Sequence, residues 1–592
     1  MTWATSRTRT VPTMARADVS ALEQSSRPMA PQIVRVLSHL SVWAAILVPT
    51  ITALVRGWMP TGDDAAITFR AYQTFSLQPP VVGLASTASS VGHQLYDPGP
   101  LQFWLLAPFV QLDFDHGLLW GSALIIGTVL STAIEAIWHS GRWLGCAALA
   151  FVIVDLLWLA PWVFSNLPWN AYFPIFFLIA SIAFAWRVST GAFGWWPVLI
   201  FTASVAAQCH LFFVPPALLL VLASPLLGLT LGKPVRYGWL ITGGVIGLLC
   251  WLAPLIQHQN LIALWRGNSG KQTFGFAFGL KALARSASPV PIWLGPNADA
   301  VQYLSWLHQA SAAYGVVVLL LLAVFGTFAW RSHCRDLAML SALAFVLCSS
   351  FVLVFAVFPV TNFVSLEYLI DPLWVLGVLL WIVVGWSAWA LLLFVADRRI
   401  AARSVVNTDS TGTGSSTRRG DRRLIGHALQ IASLSAIALI AVIGGVGIQH
   451  AITAQPTDYG SGWTPAENAT VAAATKGVED DLPRQGLVYL FLSTGPGNYA
   501  HFLGSLHIME GVAWRLESDG WTPVLADNLA VYTGTPVPTD TTVPAVSVDI
   551  RGTRILSIYE GYCWRGELTC YKAKPADVPV PVNHFRNLTF SG

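Results

Sequence analysis

The sequence predicts an α-helical polytopic membrane protein with about eleven transmembrane helices and a small C-terminal extracytoplasmic α/β domain. Of its 592 residues, 55% are hydrophobic and 11% are charged, whereas soluble globular chains carry about 25% charged residues. Apolar runs close to the roughly 20 residues that a transmembrane helix needs recur up to about residue 450. Beyond that point, strand-like segments at 487–492, 546–550 and 555–559 and a helical pattern at 498–518 predict the α/β domain.

Three regions follow from these patterns. Residues 1–38 are polar and contain several arginines, so we expect a cytoplasmic, disordered tail rather than a signal peptide. Residues 39–450 form the predicted transmembrane domain, and residues 451–592 form the external domain. The predicted spans are 39–57, 117–138, 143–161, 170–187, 194–209, 211–231, 238–256, 310–330, 337–358, 372–396 and 425–449.

Basic residues between the spans predict the orientation, because cytoplasmic loops carry an excess of Lys and Arg. They all fall on the side of the N-terminus if residues 99–112 do not cross the membrane: Arg142, Arg187, Lys233, Arg236, Arg331, Arg335 and the 398–423 loop. We therefore expect 99–112 to form a helix at the membrane surface. The protein would be a multi-pass plasma-membrane protein with a cytoplasmic N-terminus, a first external loop at 58–116 and a long external loop at 257–309.

The seven cysteines fall into two groups. Five lie in or beside apolar spans, where buried thiols are ordinary. Cys563 and Cys570 lie in the polar C-terminal region. They could form half of a zinc site, but no second pair accompanies them. We favour a disulfide, which implies an oxidising compartment outside the cytoplasm.

The candidate catalytic residues follow the first span. Asp63 and Asp64 open a segment with apolar residues at helical spacing. Asp is a favoured N-cap residue, so one of the two could cap this helix. Capping uses only one carboxylate, and the chain supplies two.

A second motif, Tyr96-Asp97-Pro98-Gly99-Pro100-Leu101, opens another short helix. Its expected apolar stripe consists of Leu101, Leu105, Phe109 and Leu112. An amphipathic substrate fits this region, with its lipid tail in the bilayer and its polar head at the Asp pair. An activated sugar on a polyprenyl phosphate is such a substrate. Its transfer to a hydroxyl group needs a general base and cationic groups for the departing phosphate.

These motifs resemble those of the GT-C superfamily of glycosyltransferases. They are most similar to the protein O-mannosyltransferases, the lipid A aminoarabinose transferases and the envelope arabinofuranosyltransferases of mycolate-bearing bacteria. The resemblance covers residues 38–450 and rests on the first loop, its Asp pair and the Pro-Gly-Pro-Leu helix start. Asp97 stands where those families usually have His. The resemblance also implies a second acid between spans three and four, where this chain has Asn166-Leu-Pro-Trp-Asn170.

The resemblance implies that Asp63 or Asp64 is the base that deprotonates the acceptor hydroxyl, while the other orients it or caps the helix. It also implies a phosphate-facing role for His210, in the turn between spans five and six. The alternative for His210 is a hydrogen-bonded turn residue.

Three further cations are candidates for binding the donor phosphate. Arg70 lies two turns along the helix of the Asp pair and could instead lie among lipid headgroups. Arg266 and Lys271 lie in a Gly-containing segment that we expect to be mobile, and the alternative is an ordinary solvated loop. The candidates for lining the substrate groove are His93, Tyr96, Asp97, Trp104, Asn166, Asn170, Glu367 and Tyr368.

The predicted function is inverting transfer of arabinofuranose or mannose from a polyprenyl-phosphate donor to an envelope glycan, glycolipid or protein. No cofactor is required, although a divalent metal (Mg or Mn) could bind near the Asp pair, and no nucleic acid is involved. One alternative is a transporter or flippase of lipid-linked sugars, but no internal repeat is visible and only Asp155 lies deep in a span. A hydrogen-bonded buried carboxyl is the simpler interpretation of Asp155. Another alternative is a non-enzymatic envelope protein that binds polysaccharide.

Overall fold

The computed structural model describes residues 29–84, 86, 95–139, 143–268, 270–288, 309–360, 371–407, 442–449, 452–453, 468–469, 471–473, 475–476, 479, 487–492, 510–525, 544–551, 554–562 and 578–579.

The described part up to residue 407 is a bundle of helices. In chain order these are α1 (Met29–Val55), α2 (Asp63–Tyr72), α3 (Leu101–Leu112), α4 (Gly117–Trp138), α5 (Trp143–Leu159), α6 (Pro161–Ser165), α7 (Phe173–Ser189), α8 (Trp196–Cys209), α9 (Val214–Leu229), α10 (Tyr237–Ile256), α11 (His258–Asn268), α12 (Phe276–Ser286), α13 (Ala312–Arg331), α14 (Arg335–Val357) and α15 (Asp371–Asn407). Short 3₁₀ turns precede α8 and α9, at Phe193–Trp195 and Leu211–Phe213.

Six helices in the described residues are long and apolar enough to cross a membrane: Gln32–Val55, Gly117–Trp138, Leu211–Leu229, Tyr237–Ile256, Ala312–Arg331 and Arg335–Val357. The chain is therefore a helical membrane protein, but the predicted count of eleven spans is not reached by this criterion. The apolar helices at four of the predicted spans are shorter, at Trp143–Leu159, Phe173–Ser189, Phe193–Cys209 and Pro372–Ala388. The eleventh predicted span, 425–449, is described only at 442–449.

Helix α7 lies at the centre of the bundle. All seventeen of its residues are buried, in keeping with a sequence that is apolar on every side. It packs against α4, α8 and α9. By contrast, α10 and α13 expose large apolar side chains such as Leu249 and Leu320, as lipid-facing helices do. The turn that leads into α7 is consequently held in place by the core of the bundle.

Helix connections meet at two opposite ends of the bundle. At one end, which we call the upper end, lie the connections 56–62, 95–100, 166–172, 209–213 and 257–260. Asn170 joins two of them by donating to Asp97, and Asn260 joins another by donating to the carbonyl of Tyr96. At the lower end, Arg35 forms two hydrogen bonds of 2.7 Å with Glu135, and Lys233 donates to the carbonyl of Thr190.

Helix α3 has twelve residues and therefore a length of about 18 Å, too short for a bilayer core of about 30 Å. It packs against α2 and α4. Of the predicted apolar stripe, Leu101 is buried, Leu105 and Phe109 are half-buried and Leu112 is exposed. The helix packs on α2 and α4 through a largely different face, whose buried residues are Leu101, Gln102, Phe103, Leu106, Ala107 and Val110.

The C-terminal region contains five described strands. They are β1 (Leu487–Leu492), β2 (Thr522–Leu525), β3 (Pro544–Arg551), β4 (Arg554–Tyr562) and β5 (Val578–Pro579). Their order is β2-β1-β3-β4-β5, with parallel pairing of β1 to β2 and β3 and antiparallel pairing of β4 to β3 and β5. Most of 451–592 lies outside the described residues, so an independent extracytoplasmic α/β domain stays a prediction.

Candidate functional site

The Asp pair opens helix α2 at the upper end, but neither carboxylate caps it. The N-cap is Gly62, with a φ of 53° that glycine adopts without strain. The predicted capping role of an Asp side chain was therefore wrong, because the helix starts one residue too early for it. Asp63 and Asp64 are instead the first two residues of the helix, where negative charge is favourable.

The two carboxylates differ in environment. Asp63 is half-buried. Asp64 has no exposed surface, and neither of its oxygens has a hydrogen-bond partner among the described residues. Burial raises the pKa of Asp64 well above its ordinary value, and the nearby charge of Asp63 raises it further. Burial thus favours the protonated form of Asp64, so Asp63 is the better candidate for a base.

The turn before α7 supplies hydrogen-bond donors to acids of the first loop. The indole N–H of Trp169 donates to Oδ2 of Asp63 at 2.7 Å, and the side-chain amide of Asn170 donates to Oδ2 of Asp97 at 2.8 Å. The turn that the GT-C resemblance expects to carry an acid thus carries donors instead. Asn170, a predicted groove residue, belongs to this site, whereas Trp169 was not identified from the sequence.

Asp97 is the second acid of the site. It is buried, and the backbone N–H of Leu211 also donates to its carboxylate. Burial raises the pKa of Asp97 well above its ordinary value; the Asn170 hydrogen bond opposes this shift, and the charge of Asp63 adds to it. Asp97, a predicted groove residue, therefore lies close enough to Asp63, a predicted base, to interact with its charge.

The backbone around Asp97 is held from both sides. Asp97 exchanges two hydrogen bonds with the chain at 83–84, in which its N–H donates to Leu84 and its carbonyl accepts from Gly83. The side-chain amide of Asn260 in α11 forms two hydrogen bonds with the backbone of Tyr96. It accepts from the Tyr96 N–H and donates to the Tyr96 carbonyl, both at 3.1 Å. The position of Asp97 therefore depends on residues that sequence reasoning did not identify.

Gly99 and Gln208 fix the following turn against the end of α8. The N–H of Gly99 donates to the backbone carbonyl of Gln208 at 3.3 Å. The side chain of Gln208 accepts from the N–H of Leu101 at 3.4 Å and donates to the carbonyl of Cys250 at 2.7 Å. A Cβ atom at position 99 would lie 2.2 Å from Oε1 of Gln208, so only glycine allows this approach.

Arg70 and Tyr96 form a neighbouring pair. The seven-residue separation of Arg70 from Asp63 corresponds to about 700° of helix rotation and about 10 Å of rise, so both project from the same side of α2. Arg70 is half-buried and forms no salt bridge within the described part of the chain. Burial lowers the pKa of Arg70 below its ordinary value, while the interaction with Tyr96 raises it. This cation remains available for an anionic ligand.

His210 takes the alternative role, that of a turn residue. Its Nδ1 accepts a hydrogen bond from the N–H of Phe212 at 3.2 Å and caps the 3₁₀ turn that follows. Burial lowers the pKa of His210 to about 4, so the ring is neutral near pH 7. In this state it supplies no positive charge to a phosphate.

The remaining predicted residues within the described ranges make other contacts. Trp104 donates to the carbonyl of Pro80 at 3.1 Å, and Asn166 is buried next to Ser165. Arg266 is exposed on α11, so its segment is helical rather than the expected mobile loop, and Lys271 is half-buried just after it. Their contact with phosphate stays a prediction. The candidates outside the described residues are His93, Glu367, Tyr368, Cys563 and Cys570.

Within the described ranges, no group of three or more His, Cys, Asp or Glu side chains is arranged to hold a metal ion. The five cysteines of the described ranges are free thiols. Asp155 is buried in α5, but its carboxyl oxygens have no hydrogen-bond partner in the described structure, so the expectation of a hydrogen-bonded carboxyl was wrong.

One acid of the site was missed altogether. Glu510 lies at the start of a described helical segment at 510–518 and is buried. Burial raises the pKa of Glu510, and the charge of Asp63 raises it further. Asp63 therefore interacts electrostatically with Asp64, Asp97 and Glu510. No signal marked Glu510 in the sequence, because a single acid in an otherwise apolar helical pattern has no characteristic motif.

No protein-family model matches the chain, and no curated protein matches it either.

Proposed function

We propose that the chain is an integral-membrane glycosyltransferase of GT-C type that transfers a sugar from a polyprenyl-phosphate donor to a hydroxyl acceptor. The observation that carries the proposal is the convergence of Asp63, Asp64 and Asp97 with the donors Trp169 and Asn170 at one end of a membrane helix bundle. Carboxylates in contrasting environments are the usual arrangement when one acid must act as a base near neutral pH.

In this proposal Asp63 is the general base. It accepts the proton of the acceptor hydroxyl while the acceptor oxygen forms a bond to the anomeric carbon of the donor sugar. The bond from that carbon to the phosphate oxygen breaks on the opposite face, and polyprenyl phosphate leaves with the electron pair. One direct displacement inverts the configuration. The Trp169 N–H fixes the orientation of the Asp63 carboxylate during the proton transfer.

Arg70 is the proposed partner of the donor phosphate. Its location on the same side of α2, about 10 Å along the axis from Asp63, leaves room for a sugar ring between base and cation. Charge stabilisation of a departing phosphate by a preorganised cation is a large term in such reactions. The Tyr96 hydroxyl, which interacts electrostatically with Arg70, would lie at the same position.

We place the site on the outer side of the plasma membrane. The lower end of the bundle carries Arg35, Arg187 and Lys233 near the chain turns, and basic residues mark cytoplasmic ends. The upper end, with the Asp cluster and the C-terminal segments packed on it, then faces outward. The proposed sugar is arabinofuranose or mannose, and the proposed acceptor is an envelope glycan, glycolipid or protein.

The test is a transfer assay with purified protein in lipid vesicles. Polyprenyl phosphates carrying radiolabelled arabinofuranose or mannose are supplied with octyl glycosides of the same two sugars as acceptors. We expect labelled glycoside product with one donor and none in protein-free vesicles. Movement of labelled donor across the bilayer without product would instead support a transporter and overturn the proposal, as would the absence of product with both donors.

A further inference from the structure

The helical segment 510–518 packs along the first external loop. A Cβ at Gly511 would lie 3.3 Å from Cγ2 of Thr61, two residues before Asp63. The ring of Trp514 stacks on Phe114 with a centroid distance of 6.2 Å and an interplanar angle of 9°. The hydroxyl of Ser518 donates to Asp115 at 2.7 Å. The segment is therefore seated on the loop that carries the proposed base.

This packing extends along α2. Phe114, which receives Trp514, also contacts the rings of Phe69 and Tyr72 on α2 at 6.3 and 5.3 Å. The start of the 510–518 segment thus lies near the first turn of α2, and its middle lies near the last turns of that helix. Glu510 is at the end of the segment nearest to Asp63.

Two polar groups on one side of this segment are buried with their hydrogen-bonding capacity unused. Glu510 and Trp514 are four residues apart, so they lie on the same helix face. Each is 1% exposed. Neither the two carboxyl oxygens of Glu510 nor the indole N–H of Trp514 has a hydrogen-bond partner in the described structure.

Buried polar groups are nearly always hydrogen-bonded, because an unpaired group costs on the order of 1–3 kcal/mol. Two such groups on one helix face, next to a base that must be presented with a hydroxyl, can hydrogen-bond a polar ligand. Burial raises the pKa of Glu510 well above its ordinary value and so favours the protonated carboxyl, a group that can both donate and accept. A sugar hydroxyl, which also donates and accepts, complements this pair.

We propose that Glu510 and Trp514 bind the acceptor sugar, with an acceptor hydroxyl hydrogen-bonded to the Glu510 carboxyl beside Asp63. This inference rests on the proposed transferase function, and it assigns the C-terminal segment a direct part in the acceptor site. The donor would remain with Arg70 on α2. The acceptor would lie against the face of the 510–518 segment that carries Glu510 and Trp514.

The experiment compares Glu510→Leu, Glu510→Gln and Trp514→Phe with wild type, and it measures KM separately for the octyl glycoside acceptor and for the polyprenyl-phosphate donor. We expect Glu510→Leu to raise the acceptor KM about tenfold or more and to leave the donor KM within about twofold. Glu510→Gln keeps a donor and an acceptor and should change the acceptor KM much less. Trp514→Phe keeps the ring stacking on Phe114 and should raise the acceptor KM several-fold.

Glu517→Gln is the matched control, because it removes a second acid of the same segment at a half-buried position. It should leave both KM values unchanged. A merely structural role for Glu510 would lower the amount of active protein and kcat while the acceptor KM stayed at its wild-type value, and that result would overturn the inference. Equal changes in the donor and acceptor KM would overturn it as well.

Acceptor binding measured by calorimetry with the same octyl glycosides separates this inference from the transferase proposal. If wild type transfers no sugar but binds a glycoside, and Glu510→Leu loses that binding, the acceptor site stands and the transferase proposal fails. If wild type transfers sugar and Glu510→Leu binds the glycoside as wild type does, the transferase proposal stands and the acceptor assignment is wrong. Without glycoside binding by wild type, the assignment also fails.

Discussion

The indole N–H of Trp169 donates to Oδ2 of Asp63 at 2.7 Å, across 106 positions of sequence. Trp169 is buried in the turn that leads into the central helix α7, and its ring packs edge-on against Tyr172 at 4.6 Å. The indole N–H of Trp169 is therefore fixed by the core of the bundle, whereas Asp63 lies on a short helix within the first external loop. The contact joins the buried core of the bundle to the proposed base.

Replacing Trp169 with Phe should slow transfer without removing binding. The substitution keeps an aromatic ring against Tyr172 but deletes the N–H that orients Asp63. A hydrogen bond to a charged group contributes about 1.5–3 kcal/mol, so we expect kcat to fall roughly tenfold to a hundredfold while the donor KM changes little. Steady-state kinetics of sugar transfer provide the measurement.

Trp196→Phe is the control for this change, since it deletes an indole N–H that donates to the backbone of Val221 rather than to an acid. Its kcat should stay within a few-fold of wild type. If Trp169→Phe and Trp196→Phe lower kcat equally, the Trp169 contact has no special role in catalysis.

Gly99→Ala should destabilise the upper end of the bundle. The new Cβ would lie 2.2 Å from Oε1 of Gln208 and 2.8 Å from Cγ of Pro254, closer than real Cβ atoms approach. Relief of this overlap must separate the Asp97 turn from the end of α8, and overpacking of this kind costs about 1–3 kcal/mol. We expect a lower Tm in detergent and a loss of transfer activity at temperatures where wild type is folded.

Gly244→Ala in α10 provides the comparison, because no atom lies within 4 Å of the added Cβ and alanine favours helix. Its Tm should equal or exceed that of wild type. A Gly99→Ala protein as stable as Gly244→Ala would show that the close contact between Gly99 and Gln208 is absent in solution.

Raised acid pKa values predict that the 510–518 segment binds the first loop less tightly at alkaline pH. Burial raises the pKa of Glu517 to about 7 from 4.5. The folded state keeps this proton where the unfolded state has lost it, so the stabilisation is complete below about pH 4 and disappears as the pH rises through about 7. Asp64, Asp97 and Glu510 shift in the same direction.

Hydrogen exchange of residues 510–518 at about pH 5.5 and about pH 8, corrected for the intrinsic exchange rate, tests this. Protection in wild type should fall at the higher pH, with at most about 2 kcal/mol attributable to Glu517. Glu517→Gln, which is neutral at both pH values, should show a smaller difference. A pH dependence that is identical in the two proteins would mean that Glu517 does not titrate in this range.

Local patterns in the sequence predicted much of the helix bundle and the Asp pair, because apolar run length and helical spacing are local properties. The same reasoning placed Asp97 and Asn170 near the substrate without pairing them. Trp169, Gln208, Asn260 and Glu510 could not be assigned roles, since each acts on a residue more than 100 positions away and only the packing of the bundle brings the partners together. The capping role of the Asp pair failed for a local reason, namely that Gly62 occupies the N-cap position.

The central claim, that Asp63 is the base, is tested most directly by the rate of sugar transfer in Asp63→Asn beside Asp64→Asn. A general base contributes about a hundredfold to ten-thousandfold, so Asp63→Asn should lower kcat by about a thousandfold with folding intact by size-exclusion chromatography. Burial raises the pKa of Asp64 well above its ordinary value and disfavours its charged form, so a neutral isosteric replacement should lower kcat less than about tenfold. The reverse order, or full activity in Asp63→Asn, would contradict the account.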